Sequence, residues 1–169
     1  MNLLVELGLN GVPMKVEEEM KGSEMDAEGW QKWVPIKSKV TEDEIKDLED
    51  MIKVALPDSY KRFLRYKHFY DLQIGECGFC SHPVNSWNKS FNEMIYNGYP
   101  TEFLLDKGRI PFANWSDWGM LCFDTTKKTR DNNYPIVLWD HEVYDDFTEV
   151  YSDFESMIYQ LDVEFQLSH

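Results

Sequence analysis

The stretch Gly108-Arg109-Ile110-Pro111-Phe112-Ala113-Asn114-Trp115-Ser116-Asp117-Trp118-Gly119-Met120-Leu121-Cys122-Phe123-Asp124 reads as two strands folded back on each other. Residues 110–113 and 120–124 are short, apolar and bounded by breakers, and the polar run 114–119 between them is a turn. After a polar loop over 125–133, residues 135–140 repeat the strand pattern, and 149–151 form a further short strand. Strands joined by such connections pair antiparallel.

The chain before this stretch is helical. Thr41 is an N-cap candidate with Glu44 three residues on, a capping box, and Val40 can staple onto Ile45. Ile45, Leu48 and Ile52 line one face at helical spacing. Leu56-Pro57 closes this helix and opens another, with Pro57 at a first helical position where no amide is needed. Tyr60, Phe63, Leu64 and Lys67 share its inner face, and Lys61, Arg62 and Arg65 are expected to face outward. An irregular stretch over 71–88 has short strand candidates at 72–74 and 76–80. Phe91, Met94 and Ile95 mark a helix over 90–97, stopped at Gly98. A last helix, expected to be capped by Ser152, carries Phe154, Met157, Ile158, Leu161 and Phe165 as its buried stripe. Helices first, antiparallel strands next and a helix last is an α+β order: a single domain with a mostly antiparallel sheet flanked by helices. Residues 1–29 are weakly periodic and glycine-rich, and read as an N-terminal extension with one short strand at 15–20. The domain proper is expected over 30–169.

Composition narrows the function. The 169 residues suit one domain. Hydrophobic residues at 43% and aromatics at 15% exclude a disordered chain. Three cysteines are too few for a disulfide framework and fit a reducing compartment. No run of 18 apolar residues exists and the N-terminus lacks the pattern of a secretory signal, so a cytoplasmic protein is expected. The net charge of -14 repels nucleic-acid phosphates and anionic lipid. It is also uneven: residues 131–169 hold ten acidic side chains and no Lys or Arg. Such a region solubilises, and it also attracts a basic partner.

Cys77-x2-Cys80 followed by His82 has metal-like spacing, but a structural zinc site needs four ligands and no second pair exists. The cysteines read as small hydrophobes and no metal or cofactor is expected. His141 among Asp140, Glu142, Asp145 and Asp146 has the look of a catalytic base, yet no nucleophile motif or Gly-rich phosphate loop accompanies it. No catalytic residue is assigned. Trp115, Asp117 and Trp118 sit on the turn between the two strands, where the indoles either pack over the sheet end or stand out as anchors. With Trp87, Tyr144, Asp145 and Asp146 on nearby loops they form a candidate partner-binding rim of aromatics and carboxylates. Trp139 alternates with Val137 and is expected in the core.

Several ordered pieces resemble the SUKH (Smi/Knr-like) superfamily. They are Trp33-Val34-Pro35-Ile36, then Ile45 with Leu48-Glu49, then Leu56-Pro57-Asp58-Ser59-Tyr60-Lys61-Arg62-Phe63-Leu64. The strand pair quoted above follows, then Pro135-Ile136-Val137, Trp139-Asp140-His141-Glu142 and Val150-Tyr151-Ser152-Asp153-Phe154. The likeness spans about residues 30–165; it departs from the pattern at Tyr66-Lys67-His68-Phe69 and is loose over 71–107. The resemblance implies a binding protein rather than an enzyme. Its bacterial members are thought to neutralise toxins, often nucleases, and its fungal members are linked to regulation of cell-wall synthesis. Three functions are therefore expected in this order: an immunity protein holding a cognate toxin with a basic surface, a regulatory or scaffold protein of cell-wall assembly, and last a small enzyme or zinc-binding protein.

Overall fold

Strand β6 (Gly119–Asp124) is buried at every position, so its sheet carries apolar cover on both faces. The computed structural model describes residues 15–127, 133–143 and 146–168. In it β6 sits inside a six-stranded, fully antiparallel sheet ordered β3 (Leu72–Ile74), β4 (Cys77–Phe79), β5 (Arg109–Trp115), β6, β7 (Ile136–Asp140), β8 (Phe147–Tyr151). A two-stranded ribbon pairs β1 (Ile36–Lys37) with β2 (Lys67–His68). Among the described residues four α-helices complete one α+β domain: α1 (Glu42–Ile52), α2 (Asp58–Leu64), α3 (Trp87–Tyr96) and α4 (Phe154–Ser168).

The two faces of the sheet follow from strand alternation. Leu121, Phe123 and Ile136 join the main core under the helices. Met120, Cys122, Val137 and Trp139 join a second cluster with Leu104, against which Tyr99 and Phe103 pack. Trp139 is fully buried, as its alternation with Val137 predicts. Pro111 lacks a ladder donor, and the β5–β6 register shifts between Pro111 and Ala113, the bulge at which a strand proline is tolerated.

Tyr60 is the hub of the main core. Its ring lies 5.1 Å from those of Phe123 and Phe154 and 5.6 Å from that of Phe112, tying α2, α4 and the sheet together. The capping box of α1 is present: Glu44 N donates to Thr41 Oγ1 (3.2 Å) and Thr41 N to Glu44 Oε2 (2.8 Å). Val40 and Ile45 are both buried in the main core.

Several sequence expectations are corrected. Residues 15–20 form no strand; a 3-10 turn at Glu18–Met20 buries Met20 instead, and Val16, Met20 and Trp33 belong to the main core. Helix α3 begins at Trp87 rather than at 90, because the indole is buried against the His82 ring. Strand β5 runs on to Trp115 through its pairing with Cys77, which shortens the turn to Ser116-Asp117-Trp118. The first turn of α4 is capped by Asp153, not by Ser152: Asp153 Oδ1 accepts from Ser156 N (2.7 Å), whereas the Ser152 hydroxyl bonds that of Ser156. Lys61 does not face outward freely; its ammonium lies 3.3 Å from Glu49 and 2.9 Å from Asp58.

Candidate functional site

Three hairpin tips meet at one end of the large sheet. Pairing of Cys77 with Trp115 sets the Gly75-Glu76 tip beside the Ser116-Asp117-Trp118 tip. Pairing of Gly119 with Asp140 sets that tip beside the turn after β7. Two cross-links fix them: Ser116 N donates to Glu76 O (2.7 Å) and His141 N to Trp118 O (3.2 Å). Ser116 adopts a left-handed φ of 53°, uncommon for a residue with a side chain and held here by the bond to Glu76. The turn after β7 is closed by its own bonds, Glu142 N to Asp140 Oδ1 (2.8 Å) and Asp146 N to Val143 O (2.9 Å).

Carboxylates and apolar side chains crowd this end. Glu76, Asp117, Glu142 and Asp146 are exposed, and Asp140 is half-buried. Among them Trp118 is 38% and Val143 52% exposed. Asp117, Trp118, Asp140, His141 and Glu142 line a shallow concavity of about 440 Å³. The His141 ring stacks at 6.2 Å from that of Tyr99, which in turn meets Trp139 edge-on at 4.8 Å, so the rim stands on the second core cluster. Carboxylates beside an indole suit the ammonium or guanidinium group of a partner protein, which gains from the charge and from the ring face.

The rim expected from sequence is thus brought together in part. Asp117, Trp118 and Asp146 sit at the sheet end, and Trp115 lies half-buried beneath it on β5. Tyr144 and Asp145 fall outside the described residues. Trp87 does not belong to the rim: it is 3% exposed and packs on His82. The Thr41 backbone amide is the main influence that holds Glu44 below the usual carboxylate range, and the nearby Trp87 indole adds to it. Glu76 was not foreseen as a rim residue, since only the β4–β5 pairing brings it there.

The other candidate chemistry lies inside the fold. Burial pushes the thiols of Cys77 and Cys80 up to about 12, so both are protonated at neutral pH. Burial pushes Cys122 up as well. His82 is pushed down to about 3, by burial first and by neighbouring His68 second. Among the described residues no group of three or more His, Cys, Asp or Glu side chains is placed to hold a metal ion. Among them, too, no helix is long and apolar enough to cross a membrane.

Residues 39–160 match the model of the SMI1 / KNR4 family (SUKH-1). The chain belongs to this family. No curated protein matches it. The matched span covers α1, the whole six-stranded sheet and the first half of α4, so the hairpin tips of this SUKH-1 domain lie within it. The membership is consistent with an immunity protein or with a Smi/Knr-like regulator, and in general with a module that binds partner proteins.

Proposed function

We propose that this SUKH-1 protein is a non-enzymatic, cytoplasmic immunity protein that binds and neutralises a cognate toxin through the end of its sheet. The observation that carries the reading is the convergence of Asp117, Trp118 and Asp146, with Glu76, Asp140 and Glu142, on hairpin tips locked to one another by backbone hydrogen bonds. A nuclease active site is basic because it binds phosphate, and a rigid anionic surface can occupy the same field. The field speeds encounter by about 10 to 1,000-fold. The exposed indole of Trp118 then slows release, the usual division between rim charge and aromatic anchor.

The test starts from the partner captured by the tagged full chain from its native strain. Under the immunity reading, that partner is toxic when expressed alone and harmless when co-expressed with this protein. Association is expected to slow by tenfold or more between low and physiological salt. Trp118→Ala should weaken the complex by about 2 kcal/mol, mainly through a faster off-rate. A harmless partner from cell-wall assembly would favour the regulatory role instead. Salt-independent association together with full-strength binding by Trp118→Ala would remove the sheet end as the contact.

A further inference from the structure

Helix α4 carries a second apolar stripe that the core does not use. Phe154, Met157 and Leu161 face the core and are at most 3% exposed. On the other side Tyr159, Val163 and Leu167, spaced four residues apart, are 72%, 38% and 83% exposed. A surface helix ordinarily turns charged residues to solvent on that side. The stripe continues into a groove of about 520 Å³ between α2 and α4, whose lining includes Phe63, Tyr66, Ile74, Ile158 and Tyr159. On the far side of Tyr159 a shallower hollow runs on to Val163. Apolar side chains four apart along about 12 Å of helix, beside a groove, are the footprint of another helix laid along α4.

Charge decides whose helix it is. α4 contains Glu155, Asp162 and Glu164 and no Lys or Arg. The two arginines on the opposite wall are engaged within the chain, Arg62 with Glu155 (3.6 Å) and Arg65 with Glu42. A second copy of this chain, docked about a two-fold axis through the stripe, would face three carboxylates of α4 with the same three, between molecules each of charge -14. An anionic lipid surface is repelled by the same field.

We infer that the α4 stripe and the α2–α4 groove are a docking surface for a basic amphipathic helix of another protein. The partner's apolar residues would lie over Tyr159, Val163 and Leu167, and its Lys or Arg side chains beside Asp162, which lines the groove. This surface lies on the helical layer rather than at the hairpin tips. It stands whether or not the tips bind a toxin.

The experiment uses the isotope-labelled full chain and three synthetic 18-residue peptides: a Leu/Lys amphipathic helix, a permuted peptide of the same composition without the apolar stripe, and a Leu/Glu helix. The Leu/Lys helix is expected to shift backbone signals at Phe63, Tyr66, Ile158, Tyr159 and Val163, and to bind at least tenfold more tightly than the other two. The double variant Tyr159→Ala/Leu167→Ala, altered only at exposed positions, should lose that binding by tenfold or more. Trp118→Ala should keep it, which separates failure here from failure of the sheet-end reading. Equal binding of the permuted peptide, shifts confined to 116–118 and 140–142, or full binding by the double variant would overturn the inference. So would sedimentation showing a dimer of the wild type that the double variant dissolves, because the occupant would then be a second copy.

Discussion

Glu49 closes the joint between two helices with one carboxylate. Its Oε1 accepts from Leu56 N (2.7 Å), just before α2, and lies 3.3 Å from Lys61 Nζ within α2. Both charged side chains are only 20% exposed, so neither is freely solvated. Removing the acceptor leaves the part-buried Leu56 amide unpaired and the Lys61 ammonium with Asp58 alone. Glu49→Ala is expected to cost about 1–3 kcal/mol, and Glu49→Gln, which keeps the acceptor, distinctly less. The urea midpoint reads this; an Ala variant that unfolds at the wild-type midpoint would show that the joint is held by packing alone. Single residues were legible from sequence where their partners are close in the chain, as Thr41 and Glu44 are. Trp87 was not. What buries it is a contact with His82 and a place near the Glu44 carboxylate of another helix, and residue type alone does not separate an anchor from a core indole.

At the scale of elements, the β1–β2 ribbon and the segment after β4 are joined by a stacked pair of buried histidines. The His68 and His82 rings lie 4.7 Å apart, and the side chains are 0% and 3% exposed. His68 Nε2 accepts from Lys39 N (2.9 Å), and its Nδ1 faces His82 O at 3.2 Å, which requires the neutral ring. His82 Nδ1 faces Lys67 O at 3.0 Å. Burial depresses both, His82 to about 3. The sign follows by linkage. The unfolded chain takes up these protons near pH 6.5 and the folded chain does not, so stability is full above that pH and falls as pH drops toward about 3. His82 alone is expected to remove about 2 kcal/mol between pH 7 and pH 5. His82→Gln keeps a donor for the Lys67 carbonyl and should flatten the profile over that interval. An unchanged slope would mean that other groups govern the acid limb. The elements themselves were readable wherever apolar periodicity ran long enough, as in α1, β6 and α4. Their ends were not: Trp115 stays in β5 because Cys77 pairs with it across the sheet, and that pairing also carries Glu76 to the rim.

At the scale of the whole molecule, charge is unevenly placed along the chain. Its first 130 residues carry -4 and its last 39 carry -10, a division plain in the sequence. What the sequence left open was how much of that excess gathers on one surface, because this depends on the order of strands in the sheet. Glu142 and Asp146 at one tip stand next to Asp117 at another because β6 pairs with β7, and Glu76 joins them through β4 and β5. Like charges drawn together oppose folding, and salt relieves them. A surface selected only for solubility has no reason to concentrate its carboxylates where they repel. One selected for fast capture of a cation-rich partner gains from doing so. The triple change Asp117→Asn/Glu142→Gln/Asp146→Asn is therefore expected to raise the melting temperature at low salt while slowing association with the captured partner about tenfold or more. Both effects should shrink together as sodium chloride is added, since both come from the same field. If the triple variant gains stability and associates as fast as the wild type, the negative end of the sheet serves solubility and capture depends on another surface.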